Sequence, residues 1–136
     1  MSLTIAIDLD GTVADGHPLQ FRPGAREALM ALATAGHRLI LHSCRCNPMD
    51  PGPSLEDEAA RYWRTGEPPP RVVEQWWRFY EMRAFLQETR LWSLFADVWQ
   101  APGKPLADVF VDDKLEPPNW ARLAAELAGA PTLPQR

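Results

Sequence analysis

Three short apolar runs, at residues 3–9, 39–41 and 109–111, constrain this chain more than any other feature. Each is too continuous for a strand with one face in water, so they read as buried parallel strands. Residues 96–99 supply a weaker fourth candidate. The segment "RPGAREALMALATAGH" separates the first two runs. It has Pro23 in its first turn, Ala25, Ala28, Leu29 and Leu32 on one side, and Gly36 as a stop, which predicts a helix. Strand, helix and strand then form a unit with a right-handed crossover. A second helix is predicted over 71–88, where Val72, Trp76, Phe79, Met82 and Leu86 make one stripe that Val73, Trp77 and Tyr80 widen. A last one is predicted over about 119–129. The expected architecture is a doubly wound α/β domain around a parallel sheet of four or five strands.

A length of 136 residues suits one domain with a real core. Hydrophobic residues make up 46% and charged residues 24%, and no apolar stretch reaches the roughly 18–20 residues of a membrane span. No cleavable signal is visible, so a soluble, cytoplasmic protein with no membrane partner is expected. The formal charge of −4 argues against binding a long nucleic acid, which draws affinity from clustered Lys and Arg. A phosphate-bearing ligand would therefore need a local cation. Cys44 and Cys46 are too close in sequence for an easy mutual disulfide and suit a reducing compartment. With His42 they make an H-x-C-x-C cluster that lacks zinc-motif spacing.

Polar residues follow every predicted strand: Asp8 and Asp10 the first, Ser43 the second, Asp112 and Asp113 the last. In an open parallel sheet those ends converge on one edge, where ligands bind. Carboxylates gathered there repel one another and raise each other's pKa unless a cation joins them. Mg²⁺, a hard ion that takes carboxylate oxygens, waters and a substrate phosphate, is the economical choice.

"DLDGT" at 8–12, "LILHS" at 39–43 and "GKPLADVFVDD" at 103–113 are similar, in order, to the motifs of the haloacid dehalogenase superfamily of aspartate-nucleophile phosphohydrolases. "HSCR" with "KPLADVFVDDK" resembles a small, nearly cap-less branch of it. The likeness covers both ends of the chain, about 3–46 and 96–128, and the middle poorly. It implies a Rossmann-like three-layer α/β/α domain with a minimal cap. It also implies a Mg²⁺-dependent phosphatase acting through an aspartyl phosphate. In that scheme Asp8 attacks phosphorus, and Asp10 protonates the leaving oxygen and then activates water. Gly11 permits the sharp exit from the strand, beside Thr12. Ser43 donates to a phosphoryl oxygen and Lys104 neutralises charge, with Arg45 and Lys114 as rival cations. Asp8, the backbone carbonyl of Asp10 and Asp113 ligate the metal, and Asp112 orients that shell. Asp10 favours a phosphatase over a dehalogenase, because carbon–halogen cleavage leaves no oxygen to protonate. Asp15 and His17, just past the first motif, are expected in a solvated loop, with contact to substrate as the alternative.

Residues 47–95 read as an insertion or small lid, its first part rich in Pro with Gly52 and Gly66, and with a short helical segment near 55–64. Ten of the 13 aromatics lie between Tyr62 and Trp99. Core packing is the favoured account of them, with rings to spare for a homodimer contact; a lid stacking on an aromatic substrate is the sharper one. The expected ligand is a small phosphorylated metabolite, nucleotides included. The alternatives are a phosphotransferase or nucleotidase-type enzyme, and a non-catalytic module binding a phosphorylated ligand.

Overall fold

The structure is a computed structural model that describes residues 2–46, 61, 64–66, 71–101, 103–114 and 116–129, with side chains described only from 77 onward in the helix that starts at 71. Apart from residues 61 and 64–66, the proline-rich stretch and any lid at 47–70 lie outside the described residues.

Four parallel strands make the central sheet: β1 (Thr4–Ile7), β4 (Arg38–Leu41), β5 (Phe95–Val98) and β6 (Val109–Val111), in the order β5-β4-β1-β6. The sequence ranges hold to within two residues at each end. A two-stranded antiparallel ribbon, β2 (Ala14–Asp15) and β3 (Gln20–Phe21), follows β1 and was not expected. Among the described residues, helices α1 (Ala25–Thr34), α2 (Arg71–Glu88) and α3 (Trp120–Ala128) flank the sheet. This is a small α/β, Rossmann-like domain. Helix α1 starts two residues after Pro23, behind Gly24 with φ 77°, so Pro23 precedes the first turn that it was expected to occupy.

Register explains how the sheet is covered. Ile5 pairs with Leu39 and Val109, and Ile7 with Leu41 and Val111, so these side chains share one face. All but the half-buried Val109, which packs against it, join a single buried cluster with Leu29 and Leu32 of α1, Met82 and Leu86 of α2, and Trp120 and Ala124 of α3. The aromatic α2 is thus a core element over its described part, with Phe79 and Phe85 packed against that cluster. On the other face Ala6 pairs with Ile40 and Phe110; the first two are buried and Phe110 is exposed. The helix residues named above pack against the Ile5 and Ile7 face.

Two contacts tie distant parts of the chain together. His37 accepts the Leu3 amide at Nδ1, 3.0 Å, and its Nε2 meets the Leu127 carbonyl, which joins β1 to α3 through one ring. Because the amide must donate, Nδ1 is the bare nitrogen and Nε2 carries the hydrogen. At the other end, buried Trp120 donates its indole N–H to the Thr12 carbonyl at 2.8 Å. The loop after β1 is therefore anchored on α3 by a hydrogen bond as well as by packing. No helix among the described residues is long and apolar enough to cross a membrane.

Candidate active site

The loop after β1 decides where its carboxylates go. The Asp8 amide still donates to the Val111 carbonyl at 3.0 Å, which holds Asp8 at the carboxyl edge of the sheet. From Leu9 the chain turns instead of extending. The Leu9 carbonyl accepts from the amides of Thr12, Val13 and Ala14 at 3.1, 2.9 and 3.1 Å, and the Gly11 amide donates to the Ala14 carbonyl at 2.9 Å. Strand β1 therefore ends at Ile7 rather than at residue 9, because the loop itself takes the hydrogen bonds that a longer strand would need. Alternation, which would set Asp8 and Asp10 on one face, stops before Asp10.

The two carboxylates then have different surroundings. Asp8 lines a cleft of about 370 Å³ with Ser43, Lys104, Asp112 and Asp113. His42, Cys44, Phe110 and Lys114 complete the wall. Four separate segments supply these groups: the end of β1, the end of β4, the loop before β6 and the end of β6. Asp10 is not in that wall. Its Oδ1 accepts from Arg45 Nε and Nη2 at 3.1 and 2.8 Å, and its Oδ2 from Nε at 2.8 Å.

Buried Ser43 accepts the Arg45 amide at Oγ, 3.1 Å. That bond leaves the hydroxyl hydrogen available to an oxygen in the cleft. Lys104 is exposed, with Nζ 5.6 Å from the centre of the Phe110 ring. Asp112 Oδ1 accepts the Lys114 amide at 3.1 Å, which shapes the turn after β6. Thr12 is fully buried, its hydroxyl 3.4 Å from Asp8 Oδ2 and its carbonyl on Trp120. It supports Asp8 from below the cleft. Asp15 and His17 are exposed, Asp15 paired with Arg22 at 2.8 Å.

Electrostatics single out Asp8. Burial pushes its pKa up from 3.8 to about 6; the charges of Asp113 and Asp10 add to the rise, and hydrogen bonds from the Leu9 amide and Thr12 oppose it. Asp8 thus sits in partial burial among like charges, the situation that a cation relieves. His42 moves the other way: burial lowers its pKa, and so do the ammonium groups of Lys104 and Lys114. Both lysines therefore project positive potential onto one wall. Lys114 joins Lys104 as a cleft cation, whereas Arg45, the other rival, is committed elsewhere.

Arg45 is buried beside Asp10. Besides Asp10 it donates from Nη1 to Glu81 Oε1 at 2.7 Å and to the Arg78 carbonyl at 3.2 Å, both on α2. Glu81 does not stand out in the sequence, because an acid on a helix flank gives no sign of a partner 36 residues away. His42 stands out there only as a poor zinc ligand, and its place in the cleft follows from being next to Ser43.

Among the described residues no group of three or more His, Cys, Asp or Glu side chains is arranged to hold a metal ion. The expected donor set is different in kind, two side chains and one backbone carbonyl. Asp113 Oδ2 lies against Gly11, only 2.2 Å from where a Cβ would stand. Asp113 also contributes to raising the Asp8 pKa. Asp8 and Asp113 thus bring two carboxylates to one small region, and carboxylate oxygen is the donor type that Mg²⁺ prefers.

No protein-family model matches this chain, and no curated protein matches it. Its fold is similar to that of a conserved protein of Bacteroides thetaiotaomicron, with a TM-score of 0.55 over 93% of this chain and 90% of the other at 21% identity. At that identity the likeness is one of fold alone.

Proposed function

We propose that the chain is a phosphatase of the haloacid dehalogenase type that hydrolyses a small phosphate monoester through Asp8. The observation that carries this reading is the convergence of Asp8, Ser43, Lys104 and Asp113 on one cleft. Asp8 attacks phosphorus and takes the phosphoryl group, which splits a difficult hydrolysis into two easier displacements. Ser43 and the lysines meet charge that develops on the phosphoryl oxygens. Asp10, in the orientation that Arg45 gives it, hands the leaving group a proton and later takes one from the water that attacks the acyl phosphate.

Mg²⁺, held by Asp8, Asp113 and the Asp10 carbonyl, would screen the repulsion between an anionic nucleophile and an anionic substrate. The cleft's size suits a compact metabolite, and the negative overall charge suits a protein that draws phosphate to two local lysines rather than to a basic surface. A screen of phosphate monoesters with Mg²⁺, repeated with EDTA, tests the reading. Release of phosphate that EDTA stops and excess Mg²⁺ restores is the expected result. Turnover indifferent to chelation, or none across aryl, sugar and nucleoside phosphates, contradicts it.

A further inference from the structure

We infer that Glu81 is a positioning residue for Asp10, acting through Arg45, an assignment that rests on the phosphatase reading above. Arg45 is almost fully buried, with only 3% of its side chain exposed, while Asp10 and Glu81 are each 34% exposed. A buried guanidinium with a carboxylate on either side is fixed by both, and its planar fork determines how each of them lies. Nε and Nη2 grip Asp10, while Nη1 is turned to Glu81 and the Arg78 carbonyl. Arg45 itself leaves the chain two residues after Ser43, whose Oγ accepts its amide. The fork is thus set from the β4 end by Ser43 and from α2 by Glu81, and Asp10 is the group it aims.

The consequence falls on one chemical event. When Asp8 displaces the leaving group, the bond between phosphorus and the bridging oxygen breaks. An alkoxide then needs the proton that the Asp10 carboxyl supplies, giving an alcohol and a carboxylate. A p-nitrophenolate leaves as a stable anion and needs none. A fault in the aim of Asp10 therefore slows alkyl esters and spares aryl ones in the steps up to transfer, which kcat/KM reports. A fault in folding or in phosphate binding slows both alike.

The test compares kcat/KM for p-nitrophenyl phosphate and for a primary alkyl phosphate in the full chain, in Glu81→Gln and in Arg45→Lys. Arg45→Lys keeps the charge and loses the fork, and thermal melts check that each variant folds. Both variants are expected to lose about tenfold or more on the alkyl ester and less than about threefold on the aryl ester. Equal losses on both esters, or none on either, with active wild-type protein overturn the assignment alone. Wild-type protein that cleaves neither ester in Mg²⁺ removes the phosphatase reading and this assignment together.

Discussion

The carboxylate of Asp113 occupies the space that a side chain on Gly11 would need, with Oδ2 2.2 Å from the position of a Cβ. Gly11 also holds φ at 73°, a backbone conformation that a residue with a Cβ adopts at a cost. One glycine therefore both turns the chain after Asp8 and admits the end of β6 against that turn. The loops after β1 and β6 become a single surface.

Gly11→Ala is accordingly expected to lose more than the usual surface substitution. Strain at positive φ and the displaced Asp113 together cost about 1–3 kcal/mol. The same change should impair turnover in the molecules that remain folded, because Asp113 must move away from Asp8. Urea denaturation beside a phosphate-release assay measures both. An alanine variant as stable and active as the parent would mean that the close approach is not needed.

The raised pKa of Asp8 gives a stability prediction for metal-free protein. Between 3.8 and about 6 the folded chain keeps a proton that the unfolded chain has given up. Stability therefore falls as pH rises through that window, and the ionised carboxylate is a standing liability above it. Asp8→Asn removes the liability, so the variant should melt higher than the parent at pH 7. Its advantage should shrink as pH drops through 6 and vanish below about 4. Thermal melts in EDTA across this range check the trend; an advantage that grows toward acid contradicts burial and like charge as the origin of the shift.

Lys104 and Lys114 both face His42 and both line the cleft. Each single alanine substitution should weaken kcat/KM by about tenfold, and the pair by about a hundredfold or more, because one developing charge is met from two sides. A single variant that accounts for the whole loss would reduce the site to one cation.

Much of this arrangement was legible in the sequence, and the parts that were not share a cause. The runs at 39–41 and 109–111 announced β4 and β6 because buried parallel strands leave no polar alternation to confuse the reading. Helix α2 was marked by its apolar stripe, and α3 by Asn119, whose side chain accepts the Arg122 amide, and by Gly129 at its end. The ribbon of β2 and β3 has two residues per strand, too few to show a period. The end of β1 at Ile7 depends on three amides meeting one carbonyl, which composition does not record. The Arg45–Glu81 pair spans the proline-rich segment, so no local pattern joins its members. Local pattern revealed the elements and the polar residues at their ends, whereas the direction taken by Asp10 was set by a long-range partner.

The central claim is that Asp8 carries the phosphoryl group in transit. The most direct test is to mix the protein with p-nitrophenyl phosphate and Mg²⁺, quench in acid during turnover, reduce any acyl phosphate with borohydride and map the modified peptide. Modification at Asp8 is expected, and neither modification nor turnover in Asp8→Asn. Turnover that persists in Asp8→Asn, or a trapped group on any other residue, would contradict it.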